Sequence, residues 1–288
     1  MTETQIPRAC VIGHPIAQSR SPMLHGFWLQ QLGIAGSYER MDVPPDGFEA
    51  FMAHFQADGF VGGNVTAPHK LAAFKAMTRL DAAATAIGAV NTMWLEDGKF
   101  VGGNTDAHGF IANLDDRAPG WQQQGNSAVV LGAGGACRAA LYALKTRGMA
   151  VTLVNRTRGH AEALAADFAG LAGPAIAVAN WSDLGDALQT ADLLVNTTVL
   201  GMLGKPAMEI DLAPLKPGAT VYDIVYVPLE TGLLQAARTR GHRTVGGLGM
   251  LLHQAVPGFT HWFGRVPTVT AELRALIEAD IREKTPGA

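Results

Sequence analysis

The sequence predicts an α/β fold of two domains built around largely parallel sheets, and three observations carry that expectation. Short apolar runs bounded by glycine alternate with helical stretches along the chain, the pattern of buried strands covered by helices. At 288 residues, 48% of them hydrophobic, the chain is about two domains long and can bury sizeable cores. A polar stretch with Pro and Gly, residues 117–127, then separates an earlier set of runs from a strongly apolar one.

In chain order, the predicted strands are 9–13, 60–65, 128–131, 151–154, 193–195 and 220–224. A helix is predicted at 160–170, from HAEALAADFAG, and after Gly246 and Gly247 come two helical segments, 248–262 and about 270–282. Those last helices can pack back on the first half and make its domain discontinuous. There is no internal repeat and no low-complexity tract.

Composition excludes several classes of partner. With 22 basic against 25 acidic residues the net charge is −3, too balanced for a nucleic-acid surface. The N-terminus MTETQIPRAC has an early glutamate and no apolar segment, so neither a signal peptide nor a membrane span is expected, and a cytoplasmic location follows. Cys10 and Cys137 share no CxxC spacing, and the nine histidines include no HExxH. No disulfide framework and no metal site are expected.

The stretch SAVVLGAGGACRAALYALKTRG, 127–148, is a strand, a glycine turn and an amphipathic helix in the order of a dinucleotide fingerprint. Gly132 permits the tight turn. Gly134 and Gly135 let backbone amides approach a pyrophosphate at the helix N-terminus, where the dipole favours an anion. Cys137 stands where a third glycine would be. An NAD enzyme carries Asp or Glu about 20 residues beyond the first glycine, at the end of the next strand; here that end is Asn155 in NRTR, with no carboxylate. Arg156 offers a planar fork for a 2′-phosphate, Thr157 a hydroxyl and Arg158 a second positive charge. A Rossmann-type domain binding NADP(H) is therefore predicted.

In the first half, GGNVTAPHK at 62–70 leads an apolar run through a turn with Pro68 to a lysine, a residue whose charge is costly to take out of water. Together with SRSP at 19–22, AVNT at 89–92, GNTD at 103–106, NTTVLGM at 196–202, DIVYVPLET at 223–231 and GLGMLLHQA at 247–255, it resembles the shikimate dehydrogenase family along nearly the whole chain. The resemblance implies an N-terminal α/β substrate domain with a mainly parallel mixed sheet, 1–106 plus 248–288, with the C-terminal helices returning to it. Residues 107–247 would form the NADP domain, with the active site in the cleft between the two.

It further implies that Ser19 and Ser21 bind the substrate carboxylate, that Asn64, Thr66, Asn91, Asp106 and Gln254 face its hydroxyls, and that Tyr226 adds a phenol. Short hydroxyl and amide groups suit a small carboxylate with three hydroxyls. Lys70 becomes the proton donor to the oxygen that receives charge when hydride arrives, with Asp106 as its carboxylate partner. On the cofactor side, Gly132, Ala133, Gly134, Gly135, Ala136 and Arg138 match the phosphate-binding turn. Thr197 and Val199 would pass beneath the nicotinamide ribose, with Val225, Gly247 and Met250 near the nicotinamide. The expected reaction is reversible NADPH-dependent reduction of 3-dehydroshikimate to shikimate, by a monomer or homodimer with small-molecule partners only.

The chain departs from the common family pattern at Gly103, Ala107, the NTT of 196–198, the TGLL of 231–234 and His160. Alternatives are a quinate/shikimate dehydrogenase with broader substrate or NAD use, and a non-catalytic regulatory module, against which retention of both Lys70 and Asp106 counts. A folate-linked NADP dehydrogenase would want an aromatic platform that this pocket inventory lacks.

Overall fold

A computed structural model of the chain describes residues 6–285. Residues 1–5, the start of the segment read above for a signal peptide, lie outside them. The chain divides into two compact units: one ends at Thr105 and takes up Gln254–Ile277, and the other comprises Asp106–His253 and resumes at Glu278.

The first unit contains β1 (Arg8–Gly13), α1 (Ser21–Gln31), β2 (Ser37–Asp42), α2 (Phe48–His54), β3 (Phe60–Val65), α3 (Lys70–Ala76), β4 (Arg79–Leu80), α4 (Ala82–Ile87), β5 (Thr92–Glu96) and β6 (Lys99–Gly103). Its sheet has the order β2-β1-β3-β5-β6-β4. Parallel β2, β1 and β3 are joined by helical crossovers. β5 runs antiparallel to both β3 and β6, because β5 and β6 are linked by a two-residue Asp97-Gly98 turn with φ of 51° and 72°, the positive-φ pair that a tight hairpin requires. Register brings Asn64 opposite Thr92 and Thr92 opposite Gly103, so the ends of β3 and β6 meet the start of β5 at one edge. Cys10, Ile12, Phe55, Phe60, Val65 and Met93 form the core beneath.

Aromatic packing closes the other side of this sheet. The fully buried His25 ring stacks on Tyr38 at 4.0 Å and lies within 5.9 Å of Trp28, Phe259 and Trp262. Among the described residues neither of its ring nitrogens makes a hydrogen bond of good geometry, and the Asn64 side chain is the polar group that lies near enough to act on it.

The second unit contains α5 (Asp106–Arg117), β7 (Ser127–Leu131), α6 (Gly135–Thr146), β8 (Ala150–Val154), α7 (Arg158–Asp167), β9 (Ala177–Ala179), α8 (Leu184–Leu188), β10 (Leu193–Asn196), β11 (Thr220–Asp223), α9 (Gly232–Thr239) and β12 (Arg243–Gly246). The strands are all parallel, in the order β12-β11-β10-β7-β8-β9. The chain starts in the middle at β7, winds outward to β9, then crosses to β10 and winds the other way. That reversal leaves a crevice beyond the carboxyl ends of β7 and β10, the switch point at which open parallel sheets take ligands. α5 belongs to this unit because Phe110 stacks on Tyr222 at 4.7 Å, while Asn113 Nδ2 donates to the Tyr222 hydroxyl at 2.8 Å and to the Gly246 carbonyl at 2.9 Å. The long helices α10 (Leu248–Phe263) and α11 (Ala271–Lys284) each cross the boundary between the units. Among the described residues no helix is long and apolar enough to cross a membrane.

His25 gives this fold a defined response to acid. Burial lowers its pKa from 6.5 to about 3, so between those values the unfolded chain binds a proton there and the folded chain does not. Stability is fully present above pH 6.5 and falls as pH drops, by about 1.4 kcal/mol per pH unit from this site. His25→Phe keeps the ring and removes the proton. Urea midpoints measured from pH 7 to pH 4.5 should decline less steeply in the variant; parallel declines would show that this imidazole does not control the acid limb.

Candidate active site

At the edge where β3, β5 and β6 meet, two buried asparagines tie the strand ends together. Asn64, on β3, donates from Nδ2 to the Asn91 carbonyl at 3.2 Å and to Thr92 Oγ1 at 3.0 Å, and its Oδ1 accepts the Tyr38 hydroxyl at 2.6 Å. Asn91 Oδ1 accepts the Thr105 backbone N–H at 2.8 Å and the hydroxyls of Thr92 and Thr105 at 2.9 and 3.2 Å. Gln254 Oε1 lies 3.4 Å from Thr105 Oγ1 as an alternative acceptor for that hydroxyl, bringing α10 to the cluster. Asn104 Nδ2 caps the Ala89 carbonyl at 3.0 Å. Of the expected substrate residues, Asn64, Asn91 and Gln254 are therefore gathered here.

Lys70 opens α3 and is half-buried. The turn before it is held from below. Thr66 N–H donates to the Ile12 carbonyl at 2.9 Å, and His69, buried and stacked on Phe48, donates from Nε2 to the Val43 carbonyl at 2.6 Å. Since a carbonyl cannot donate, that ring nitrogen carries the proton. The Lys70 carbonyl accepts Val90 N–H at 3.2 Å, placing the start of α3 beside Asn91. A cation in the first turn gains nothing from the helix dipole, so the position is not explained by local helix chemistry.

Ser19 lies in the loop before α1. Its carbonyl is pinned by Arg40 Nε and Nη2 at 3.0 and 2.6 Å, and its Oγ accepts Ser21 N–H at 3.4 Å. Ser21 is buried as the first residue of α1, with its hydroxyl beside that of Tyr38. The N-cap is Arg20, without a side-chain cap bond, so the Ser21 hydroxyl is not used in capping, while Ser19 Oγ accepts the first N–H of the helix. Asp106 opens α5 and Tyr226 follows β11, both half-buried in the second unit. Gly103 has its side-chain space taken: a Cβ there would lie 2.6 Å from Asp81 Oδ2 and 3.0 Å from the Trp94 ring.

In the second unit the glycine turn falls at the β7 end of the switch point. Gly132 has φ +110°, and a Cβ on it would meet Thr197 Oγ1 at 2.8 Å. Thr197, buried, donates from Oγ1 to the Leu131 carbonyl at 2.6 Å, so the loops after β7 and β10 touch. Gly134 is the N-cap of α6, with no side-chain cap bond, and nothing lies within 4 Å of a Cβ on Gly134 or Gly135. Ala133 and Ala136 flank them half-buried. The first N–H groups of this 12-residue helix therefore face open space, the arrangement that receives an anion. Burial pushes the Cys137 thiol up to about 12, so it packs as a small apolar group. Arg138 is drawn toward α7: its Nη1 donates to Asp167 Oδ2 at 2.6 Å and its guanidinium lies over Phe168.

After β8, Asn155 Nδ2 donates to the Thr157 carbonyl at 2.9 Å, bending NRTR back on itself. Arg158 is engaged by Glu162 at 2.7 Å and Asn180 at 3.0 Å. Arg156 is exposed and Thr157, the N-cap of α7, makes no side-chain cap bond. Arg156 and the Thr157 hydroxyl fit a phosphorylated ribose, while the charge of Arg158 is met by Glu162.

A group that the sequence reading passed over organises the β10 and β11 ends. The Asp223 carboxylate is buried. Oδ1 accepts Asn196 Nδ2 at 2.9 Å and Val225 N–H at 3.1 Å, and Oδ2 accepts the Thr231 hydroxyl at 2.7 Å. Burial raises its pKa, and these hydrogen bonds oppose the rise. Asn196 in turn accepts from Thr198 N–H and Oγ1, so the network sets the loop carrying Thr197 and the exposed Val199. Val225 is buried and its carbonyl accepts Gly247 N–H at 3.2 Å, and the Gly247 carbonyl accepts Met250 N–H at 3.0 Å. A Cβ on Gly247 would lie 1.9 Å from the Ile224 carbonyl oxygen. Tyr38, Arg40 and His69 were likewise passed over; the alternation of Tyr38, Arg40 and Asp42 along β2 was the available signal.

A parallel sheet with this strand order, a glycine turn at its switch point and an arginine after its second strand define a Rossmann dinucleotide-binding unit, and the other α/β unit is rich in buried amides and hydroxyls. Residues 11–93 match the family model described as shikimate dehydrogenase substrate binding domain, and residues 116–202 the one described as shikimate / quinate 5-dehydrogenase. A shikimate dehydrogenase (NADP(+)) of Azorhizobium caulinodans is 55% identical over 96% of this chain and 98% of its own. Among solved structures, the shikimate 5-dehydrogenase of Thermus thermophilus in complex with NADP(H) and shikimate is similar at 34% identity and TM-score 0.81, covering 96% of this chain and 99% of that one. The quinate dehydrogenase of Corynebacterium glutamicum in complex with NAD is similar at 31% identity and TM-score 0.87, covering 95% and 99%. The chain belongs to the shikimate dehydrogenase family.

The glycine geometry separates two effects in one experiment. Gly247→Ala must displace the Ile224 backbone and should lower the melting temperature by several degrees, the effect of about 1–3 kcal/mol of overpacking. Gly135→Ala, with open space around its Cβ, should melt within about a degree of the parent. Equal thermal shifts would refute the close approach at Gly247.

Proposed function

We propose that this protein is an NADP-dependent oxidoreductase that interconverts shikimate and 3-dehydroshikimate. The observation that carries the reading is the pairing, within one unit, of Lys70 with a cluster of buried amides and hydroxyls joined to the start of its helix through Val90. Such groups orient a small polyhydroxylated acid by neutral hydrogen bonds while leaving one basic group for proton transfer.

In the proposed arrangement, the hydroxyls of Ser19 and Ser21 donate to the substrate carboxylate. Thr66, Asn64, Asn91, Gln254 and Tyr226 address the ring hydroxyls. Lys70 Nζ takes the proton of the hydroxyl being oxidised and returns it in the reductive direction, and Asp106 holds that ammonium in place. NADP, when bound, supplies the hydride acceptor. The N–H groups of Gly134, Gly135 and Ala136 hold its pyrophosphate, and the fork of Arg156 with the Thr157 hydroxyl holds the 2′-phosphate. Thr197, Val199, Val225, Gly247 and Met250 shape the nicotinamide side.

The test is a matrix of purified protein with shikimate or quinate and NADP or NAD, followed by the absorbance of reduced nicotinamide. Turnover confined to shikimate with NADP supports the reading, turnover of quinate with NAD favours the alternative dehydrogenase, and no turnover of either acid overturns it. Lys70→Met should lower kcat by about 100- to 10,000-fold with an unchanged melting temperature, and Asp106→Ala should lower it less. A folded Lys70→Met enzyme with near-parental turnover would remove the lysine from the chemistry. Arg156→Gln should raise KM for NADP about tenfold or more, the value of a charge-assisted hydrogen bond, while leaving KM for NAD within about twofold; an equal rise for both coenzymes would take the 2′-phosphate away from this residue.

A further inference from the structure

An asparagine amide has nearly the same shape either way round, but turning it by 180° exchanges a donor for an acceptor. At Asn64 the surroundings allow one orientation. Both amide hydrogens are committed, one to the Asn91 carbonyl at 3.2 Å and one to Thr92 Oγ1 at 3.0 Å, and Thr92 directs its own proton at Asn91 Oδ1, 2.9 Å away. Turned round, Asn64 would set its own oxygen against the Asn91 carbonyl. Its Oδ1 is held on the other side by the Tyr38 hydroxyl at 2.6 Å.

Tyr38 is built to remain a donor. Its phenol is buried, which raises its pKa well above the usual value, and the His25 ring stacked on it at 4.0 Å and 18° fixes the plane from which the hydroxyl projects. β2 carries it into place opposite Ala9 of β1.

The geometry points to Tyr38 as a positioning residue that, together with the Asn91 carbonyl, holds Asn64 in one polarity and its Oδ1 in one place, so that Asn64 meets a ligand only as a hydrogen-bond acceptor and selects a hydroxyl there. This inference rests on the reading of the site given above and deepens it. A carbonyl oxygen opposite an acceptor is repelled, so Asn64 addresses a hydroxyl that remains a hydroxyl through the reaction, not the oxygen that becomes a ketone. An ether or a deoxy carbon at that position is rejected.

Tyr38→Phe retains the ring and its stack on His25 but removes the hydroxyl that holds Asn64 Oδ1 in place. KM for shikimate should rise at least tenfold while KM for NADP stays within twofold, a split that general loosening of the fold would not produce. Among singly deoxygenated shikimates, one altered at a non-reacting hydroxyl should be used at least 100-fold less efficiently than shikimate by the parent enzyme, and Tyr38→Phe should narrow that ratio. In an Asn64→Ala background, Tyr38→Phe should change KM for shikimate less than twofold. Should Tyr38→Phe not fold, Thr92→Val releases the opposite side of the same amide and should raise KM for shikimate alone. An unchanged KM for shikimate in a folded variant, or parallel rises for both substrates, would overturn the inference. A parent enzyme that does not turn over shikimate would instead overturn the functional reading on which it stands.

Discussion

Buried amides must satisfy their own hydrogen bonds, and at Asn64 and Asn91 that requirement holds the site together. Each polar group left unmet inside the protein would cost about 1–3 kcal/mol. The two asparagines meet the requirement by fastening β3 to the start of β5 and the end of β6, with Tyr38 reaching in from β2 and Thr105 from the turn into α5. The groups available to a ligand are therefore set by the same bonds that stabilise the sheet edge. Preorganisation of this kind lets a pocket of neutral groups distinguish a hydroxyl from its absence.

A parallel constraint acts in the second unit. All six strands run the same way, so their carboxyl ends lie at one end of the sheet and the loops beyond them must be fixed against one another. The Asp223 carboxylate does this from beneath, drawing Asn196, Val225 and Thr231 to a single buried charge. Above it the glycine turn leaves the N–H groups of α6 uncovered, and NRTR presents Arg156 while Arg158 is occupied by Glu162 and Asn180. In the proposed reading this unit supplies anion binding, and it also carries Asp106 and Tyr226.

Much of this was legible in the sequence because it is local. The predicted strands at 9–13, 60–65, 128–131 and 151–154 lie within β1, β3, β7 and β8, and the helices predicted at 248–262 and about 270–282 fall on α10 and α11. An apolar run ending in glycine needs no distant partner to be recognised. β2, β5 and β6 were not expected, since SYERMD, TMWLE and KFVGG mix polar with apolar residues and acquire their strand character only by pairing. The supporting contacts were hidden for the same reason: Tyr38 and Asn64 are 26 residues apart, as are Val43 and His69. Ser21 is the first residue of α1 and not its cap, which leaves its hydroxyl beside Tyr38. Asp223 was legible only as part of a family motif, because nothing nearby in sequence indicates that Asn196 and Thr231 converge on it.

The account assigns two binding chemistries to two separate sets of strand ends, and hydrogen–deuterium exchange reads both. Shikimate alone should slow exchange in peptides covering 60–70 and 89–105, and NADP+ alone in peptides covering 131–138, 154–160 and 196–201. Protection by shikimate confined to the second set, or by NADP+ confined to the first, would contradict the division of chemistry on which the account depends.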